Sequence, residues 1–275
     1  MPLRVLYGLS DFLFFITYYI TSYRKGIVWR NLKNSFPEKG EKDLQRIQKD
    51  FYHNLCDYGV ETLKLLTISR EELNRRMVFK NPEILNEYAA KNKSVMILAS
   101  HQFNWEWLLA AGCFSLPMKV DFVYQAQSNK FFNDFSLACR TRFGGHPILR
   151  EQVARESIRR RANVESRAVA IIADQFPGQG NDKRFWTKFL HQDTAFFQGI
   201  ERLAELTQYP AFFFSVKRIK RGYYEATGTL VSLPPYEKAN HEMLVKYAEL
   251  IENRLEEFPE NWLWTHNRWK DIQTD

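Results

Sequence analysis

The stretch Ser94-Val-Met-Ile-Leu-Ala-Ser-His-Gln-Phe-Asn-Trp-Glu-Trp-Leu108 decides the fold. Its residues 95–99 form an unbroken apolar run with the length of a strand that is buried on both faces. Apolar and aromatic residues at helical spacing follow over residues 103–114. A buried strand that leads directly into a helix is typical of βαβ units, so the sequence predicts an α/β fold with a mostly parallel sheet flanked by helices.

The alternation of helix and strand continues along the chain. Further strands are predicted over residues 120–124, 147–149, 168–173, 211–216 and 223–231. Helices are predicted over residues 82–90, 105–114, 131–143, 153–162, 196–206 and 243–255, after earlier helices over 41–67 and 70–77. No glycine-rich phosphate loop follows any predicted strand, which argues against nucleotide-dependent chemistry and predicts no cofactor.

His101 is the candidate general base, because it lies at the carboxyl end of the first predicted strand, where open α/β sheets place their ligand crevices. Glu106 follows five positions later, and its carboxylate is predicted to orient the imidazole and stabilise its protonated form. The spacing alone is weak evidence, since His146 with Glu151 and His266 with Asp271 match it too. The alternative is a histidine at a helix N-terminus that bonds to nearby backbone.

Other polar residues fall at the same predicted edge of the sheet. Asp174 and Gln175 end one strand, and Gln125 follows another. Arg140 and Arg142 precede a glycine turn, and either could hold a phosphate or an oxyanion. Their shared position makes them candidate substrate-binding residues, together with Asn104, although a capping aspartate and solvated arginines would give the same pattern. No metal-ligand spacing is present, so no metal site is predicted.

Length and composition indicate one catalytic domain with a helical appendage, because 275 residues with 45% hydrophobic content contain no Pro/Gly/Ser-rich linker. We place the boundaries at 1–25 for an anchoring helix, 26–78 for a helical segment packed on the core, and 79–275 for the catalytic domain. A net charge of +7 favours an anionic partner: nucleic acid, phospholipid head groups or an acidic carrier protein. The three cysteines lie far apart and are expected to be reduced.

The N-terminal residues 3–20 are apolar and strongly aromatic, and Arg24 and Lys25 follow them. Arg4 and Asp11 interrupt the run, so it is marginal as a membrane span but suits a helix that lies in or on a membrane. The alternative is a long apolar helix packed on the domain. The same two interpretations, membrane anchor or core, apply to the tryptophans at residues 262, 264 and 269.

Taken together, several motifs give a resemblance that covers nearly the whole chain. The sequence resembles the bacterial lipid A biosynthesis acyltransferases (lauroyl and myristoyl transferases), within the glycerolphosphate and lysophospholipid acyltransferase superfamily. The matching motifs are Arg30-Asn-Leu, Ser35-Phe-Pro37, Ala99-Ser-His-Gln-Phe-Asn-Trp-Glu106, residues 140–145, Ala173-Asp-Gln175 and Trp262-Leu-Trp-Thr-His-Asn-Arg-Trp-Lys270.

The resemblance implies transfer of a fatty acyl group from acyl carrier protein or coenzyme A to a lipid hydroxyl at the cytoplasmic face of the inner membrane, without nucleic acid as a partner. It implies that His101 is the general base and that Glu106 orients it. The motif arginine carries over to Arg140 or Arg142, and Asp174 to the acid of the Asp-Gln motif.

Two departures leave the acceptor open. Leu190 and His191 stand where the family usually has a glycine, and the loop over residues 176–184 also differs. A lysophospholipid or an aminoacyl lipid is therefore an alternative acceptor. A non-catalytic lipid-binding or membrane scaffold protein that keeps the fold is the alternative of a different class.

Overall fold

The computed structural model describes residues 1–162, 165–178, 183–238 and 240–270. Its main sheet has seven strands in the order β1-β9-β8-β2-β5-β3-β4. All neighbouring pairs are parallel except β8 and β9, which form an antiparallel hairpin. The strands are β1 (Met77–Phe79), β2 (Val95–Ala99), β3 (Lys119–Tyr124), β4 (His146–Leu149), β5 (Arg167–Ile172), β8 (Ala211–Lys220) and β9 (Tyr223–Ser232). This confirms the predicted fold class.

Helices cover both faces of the sheet, which explains why β2 is buried along its whole length. Alternate β2 residues face two apolar cores, with Met96 and Leu98 in one and Ile97 and Ala99 in the other. The helices are α1 (Leu3–Phe15), α2 (Lys25–Ser35), α3 (Glu41–Lys64), α4 (Arg70–Arg76), α5 (Asn86–Ala90), α6 (Trp105–Ser115), α7 (Lys130–Thr141), α8 (Val153–Ala162), α9 (Gly199–Thr207) and α10 (Glu242–Glu257).

Two parts of the sheet structure differ from the sequence prediction. The helix predicted over residues 70–77 ends at Arg76, and β1, which begins at Met77, pairs with β9. A separate hairpin is made by β6 (Arg184–Phe189) and β7 (Gln192–Phe197), so the helix predicted from residue 196 begins instead at Gly199. Leu190 and His191 form the hairpin turn with φ values of 49° and 64°. Glycine adopts this left-handed region most easily, and neither residue of this turn is a glycine.

The N-terminal helix α1 packs against α3 through one side only. Leu3, Leu6, Ser10 and Phe14 are buried, whereas the other side leaves large apolar side chains exposed. The exposed residues are Val5, Leu9, Phe12, Leu13 and Phe15 of α1, followed by Tyr19 and Ile20 just after it. By length and composition the segment Leu3–Ile20 is the one candidate membrane span in the described residues, with a mean hydropathy of 1.3.

The C-terminal tryptophans belong to the core. Trp262 and Trp264 are buried, and Trp269 packs against the same apolar cluster. Of the two interpretations that the sequence left open, the structure therefore shows core packing for this segment.

Candidate active site

The carboxyl edge of the sheet brings His101 and Asp174 together. In the register of the parallel strands β2 and β5, Ala99 lies opposite Ile172, and each polar residue comes two positions later. His101 Nδ1 lies 2.7 Å from Asp174 Oδ1, and the His101 backbone N–H donates to Asp174 Oδ2 at 2.8 Å. Trp262 Nε1 donates to the same Oδ2 at 2.6 Å. Asp174 therefore fixes both the main chain and the ring of His101.

Asp174 is buried and is held in its ionised form. Burial alone would raise its pKa, but the nearby His101 and the hydrogen bonds from His101 and Trp262 lower the pKa of Asp174 below its ordinary value. An ionised Asp174 accepts a hydrogen bond from the N–H of His101 Nδ1, which leaves Nε2 as the acceptor of a neutral ring. This tautomer is the one that a general base needs.

Glu106 does not make the contact with His101 that the sequence predicted. Arg140 Nε donates to Glu106 Oε2 at 2.9 Å, and Arg140 Nη2 donates to Oε1 at 2.5 Å. Trp105 Nε1 also donates to Oε1, at 3.2 Å. The physical reason is that α6 begins at Trp105, so Glu106 lies in its first turn and faces α7, which carries Arg140. Asp174 takes the position beside the imidazole instead.

The two candidate arginines have different environments. Arg140 lines the same cavity as His101, and although burial works to lower its pKa, the Glu106 carboxylate raises it overall. Arg142 instead donates from Nη1 to the carbonyl oxygens of Leu65 at 2.8 Å and Ile68 at 2.5 Å. Arg142 thus holds the chain after α3, and Arg140 is the arginine at the site.

The cavity at this edge has a volume of about 580 Å³, within the range of small-molecule sites. One part is polar and contains Gln125 and Gln175 beside the residues already described. The remainder is apolar and extends along α6. The apolar lining on this side includes Phe79, Ile97, Leu108, Leu109, Gly112, Leu116 and Phe214. A long apolar chain and a polar reacting centre can therefore occupy one continuous space.

A family model for bacterial lipid A biosynthesis acyltransferases matches residues 1–271 of the chain. The chain belongs to this family. A comparison with curated proteins finds no match.

In this member of the acyltransferase family, Asn104 does not line the cavity. It is fully buried, and its Oδ1 accepts the backbone N–H of Trp107 at 3.0 Å, which caps α6. Its Nδ2 donates to Glu61 Oε2 at 2.8 Å. With its oxygen and its amide nitrogen both engaged inside the protein, Asn104 positions the helix rather than lining the substrate space.

The other histidines that match the bare spacing have different surroundings. His146 begins β4 and lies opposite Asp121, toward the amino ends of the strands. His266 accepts the backbone N–H of Phe176 at 3.1 Å through Nε2. Burial and the nearby Arg268 lower the pKa of His266 to about 4, so it is neutral at physiological pH. Asp271, its partner by spacing, lies outside the described residues.

Tyr247 and Trp262 contact the site in a way that the sequence did not predict. The Tyr247 hydroxyl donates to the Ala99 carbonyl at 2.6 Å and accepts the Ala173 backbone N–H at 3.3 Å, so it joins the ends of the two central strands. Trp262 belongs to a motif that the sequence did show, but nothing in its spacing identifies Asp174 as its partner. Among the described residues, no group of three or more His, Cys, Asp or Glu residues is arranged to hold a metal ion.

Proposed function

We propose that this family member transfers a fatty acyl chain from an acyl carrier protein or coenzyme A thioester to a hydroxyl of a lipid acceptor, with His101 as general base and Asp174 as its orienting acid. The observation that carries the proposal is the His101–Asp174 pair beside an apolar cavity of about 580 Å³. A scaffold protein would need neither the hydrogen-bonded pair nor its position at the polar end of the cavity.

The reaction follows from the tautomer of His101. Nε2 takes the proton of the acceptor hydroxyl while the hydroxyl oxygen attacks the thioester carbonyl carbon. Asp174 stabilises the imidazolium that forms. The carbon–sulfur bond then breaks, and the leaving thiolate takes the proton back from Nε2. We assign to Arg140 the stabilisation of the negative charge that develops on the carbonyl oxygen. Glu106 holds this arginine in a bidentate pair.

We propose that the acyl chain of the donor lies in the apolar part of the cavity beside α6. Gly112 leaves room there, because a Cβ at this position would be 3.5 Å from Phe79 and 3.6 Å from Leu116. Gln125 and Gln175 line the cavity and are proposed to contact the polar parts of the substrates.

The division into an anchor over residues 1–25, a helical segment over 26–78 and a catalytic domain over 79–275 is part of the proposal. Because α1 packs on α3 with one side and exposes apolar residues on the other, we propose that it lies in the surface of the inner membrane with the active site on the cytoplasmic face. Replacing Leu9, Phe12 and Phe15 by Ser is expected to shift the protein from sedimenting vesicles to the supernatant. Unchanged sedimentation would contradict this placement.

The function is tested with purified protein in detergent, with dodecanoyl-acyl carrier protein and dodecanoyl-coenzyme A as donors. The acceptors are a lipid A precursor and a lysophospholipid, assayed separately. Acyl transfer to the lipid A precursor supports the acceptor class of the family, and transfer to the lysophospholipid alone supports the alternative acceptor. Binding of both lipids without turnover would support a scaffold protein and contradict the proposal.

A further inference from the structure

Glu61 is a fully buried carboxylate on α3 that does not line the cavity. Its Oε1 accepts the Tyr7 hydroxyl at 2.8 Å. Its Oε2 accepts Asn104 Nδ2 at 2.8 Å and the Tyr224 hydroxyl at 2.7 Å. The Glu61 backbone carbonyl accepts Trp107 Nε1 at 2.9 Å. One residue thus contacts the N-terminal helix, the start of α6 and β9.

A buried carboxylate is costly unless every oxygen is satisfied. Burial raises the pKa of Glu61, and the hydrogen bonds from Tyr224, Asn104 and Tyr7 oppose that rise. Leucine at this position would avoid the desolvation cost but would leave the Tyr7, Asn104 and Tyr224 donors without this acceptor. The side chain therefore has a role in positioning its partners.

The partner nearest the reaction is Asn104, because the four residues from His101 to Asn104, with Ser100 before them, join β2 to α6. Asp174 holds the first of them through its backbone N–H and its ring. Glu61 holds the last through Nδ2, and the same Asn104 caps α6 with Oδ1. The loop that carries the general base is therefore fixed at both ends by buried carboxylates.

The other end of the network is α1. One turn of α3 before Glu61, Asp57 accepts the Ser10 hydroxyl at 2.7 Å and is also paired with Arg218 and Arg221 of the β8–β9 hairpin. Tyr7 and Ser10 are thus two polar contacts, one helical turn apart, between α1 and α3. The Tyr7 hydroxyl is separated from Asn104 by a single carboxylate group.

We propose that Glu61 is a positioning residue that couples the seating of α1 on the protein body to the geometry of the His101 loop. When α1 is seated, Tyr7 holds the Glu61 carboxylate in the orientation that fixes Asn104 and the start of α6. When α1 is displaced, the carboxylate loses one of its three side-chain donors and the loop becomes less well positioned. The turnover rate then depends on whether the N-terminal helix is seated on the protein body. This inference rests on the proposed acyl transfer.

The test compares Tyr7→Phe, Glu61→Leu and Glu61→Gln in the full-length protein, with dodecanoyl-acyl carrier protein as donor and a lipid A precursor as acceptor. Loss of one hydrogen bond in Tyr7→Phe is expected to lower kcat about fivefold. Loss of the whole network in Glu61→Leu is expected to lower it about 10- to 100-fold, because small misplacements of reacting groups are costly. The donor KM is expected to stay within about twofold in both, because the donor site is intact.

Glu61→Gln is the conservative variant that tests rescue. Its amide nitrogen can donate to the Tyr7 oxygen while its carbonyl oxygen still accepts from Asn104 and Tyr224, so kcat is expected to recover to within about threefold of wild type. Tyr236→Phe is the matched control, because that hydroxyl donates to the Tyr209 and Ser232 carbonyls away from the site. It removes a tyrosine hydroxyl without touching the loop, and kcat should not change.

Equal kcat values for Tyr7→Phe, Tyr236→Phe and wild type would overturn the proposal, even if Glu61→Leu does not fold. A parallel measurement is hydrogen exchange of the Trp107 amide, which Asn104 caps. Faster exchange there in Tyr7→Phe, but not in Tyr236→Phe, is expected. If wild type transfers no acyl group, the proposed function fails, whereas the exchange result still supports or overturns the coupling on its own.

Discussion

Asp121 and Asp174 are both buried aspartates of the main sheet that lie near a histidine, but at opposite ends of their strands. Asp121 lies opposite His146 in the register of β3 and β4, and Oδ1 pairs with Arg160 Nη1 at 2.7 Å and Arg167 Nη1 at 3.6 Å. Asp174 pairs with His101 and Trp262 at the carboxyl edge. Of the two histidines, His101 lines the cavity and His146 does not.

Whether a buried carboxylate can support catalysis depends on its partner and on its access to a cavity. The arginines beside Asp121 are always charged and exchange no proton at neutral pH, and burial raises the pKa of Asp121 despite them. The partner of Asp174 is a histidine, a residue type that can exchange a proton, and its side chain lines the cavity. The first arrangement joins β3, β5 and α8, and we propose that the second serves proton transfer.

Neutralising each of the two aspartates is expected to have the largest effect. Asp174→Asn removes the charge that fixes the His101 tautomer, and kcat for acyl transfer is expected to fall about 10²-fold or more. Asp121→Asn leaves Arg160 and Arg167 without their buried counter-charge, so it is expected to destabilise the fold by about 3–5 kcal/mol. Turnover of the folded fraction should stay near wild type.

Kinetics and urea unfolding measured on both variants separate these outcomes. A large loss of turnover in folded Asp121→Asn, or wild-type turnover in Asp174→Asn, would contradict the different roles assigned to the two aspartates.

A smaller effect is expected from a change in the length of the cavity along α6. Gly112→Leu is expected to fill the apolar part beside Phe79 and Leu116 and to shorten the preferred donor chain. Each methylene that no longer fits costs about 0.8 kcal/mol, or roughly fourfold in donor preference. Gly59→Leu is the matched control, since Gly59 has open space around it on an exposed part of α3.

Competition among acyl-carrier-protein donors of graded chain length measures this preference. An unchanged chain-length profile in active Gly112→Leu would place the acyl chain elsewhere in the cavity.

The smallest effect concerns His266, the second histidine of the carboxyl edge. Its pKa of about 4 in the folded protein is below the ordinary value of about 6.5, so the unfolded chain binds more protons between these values. Stability that the neutral ring contributes above about pH 6.5 is therefore lost as pH falls toward 4. His266→Gln keeps an acceptor for Phe176 and should weaken this acid dependence. Urea midpoints from pH 4 to 7 check it, and parallel curves for both proteins would contradict it.

The fold was predictable where local patterns are strong. The apolar run at 95–99 and the strand–helix alternation predicted the strands of the main sheet other than β1 and most of its helices, because burial on both faces leaves a clear signal. The hairpin of β6 and β7 was missed, since its residues alternate only weakly and its turn, Leu190 and His191, contains none of the usual turn residues. The three-residue β1 was missed because it is too short to show a period.

The site was predictable to the level of the sheet edge. The ends of β2 and β5 placed His101 and Asp174 on one side, but spacing favoured Glu106 as the partner because it is close in sequence. The contact that forms spans 73 positions and depends on the register of two strands. The sequence also could not show that Glu106 pairs with Arg140, which lies 34 positions later on another helix.

The central claim, that the His101–Asp174 pair is the reacting end of the cavity, is tested most directly by comparing acyl transfer by His101→Ala and His146→Ala. Both variants remove a histidine that has a carboxylate near it in space. We expect kcat to fall about 10²- to 10⁴-fold in folded His101→Ala. His146→Ala should retain turnover within about twofold of wild type, since His146 lies outside the cavity lining. Wild-type turnover by folded His101→Ala would contradict the account.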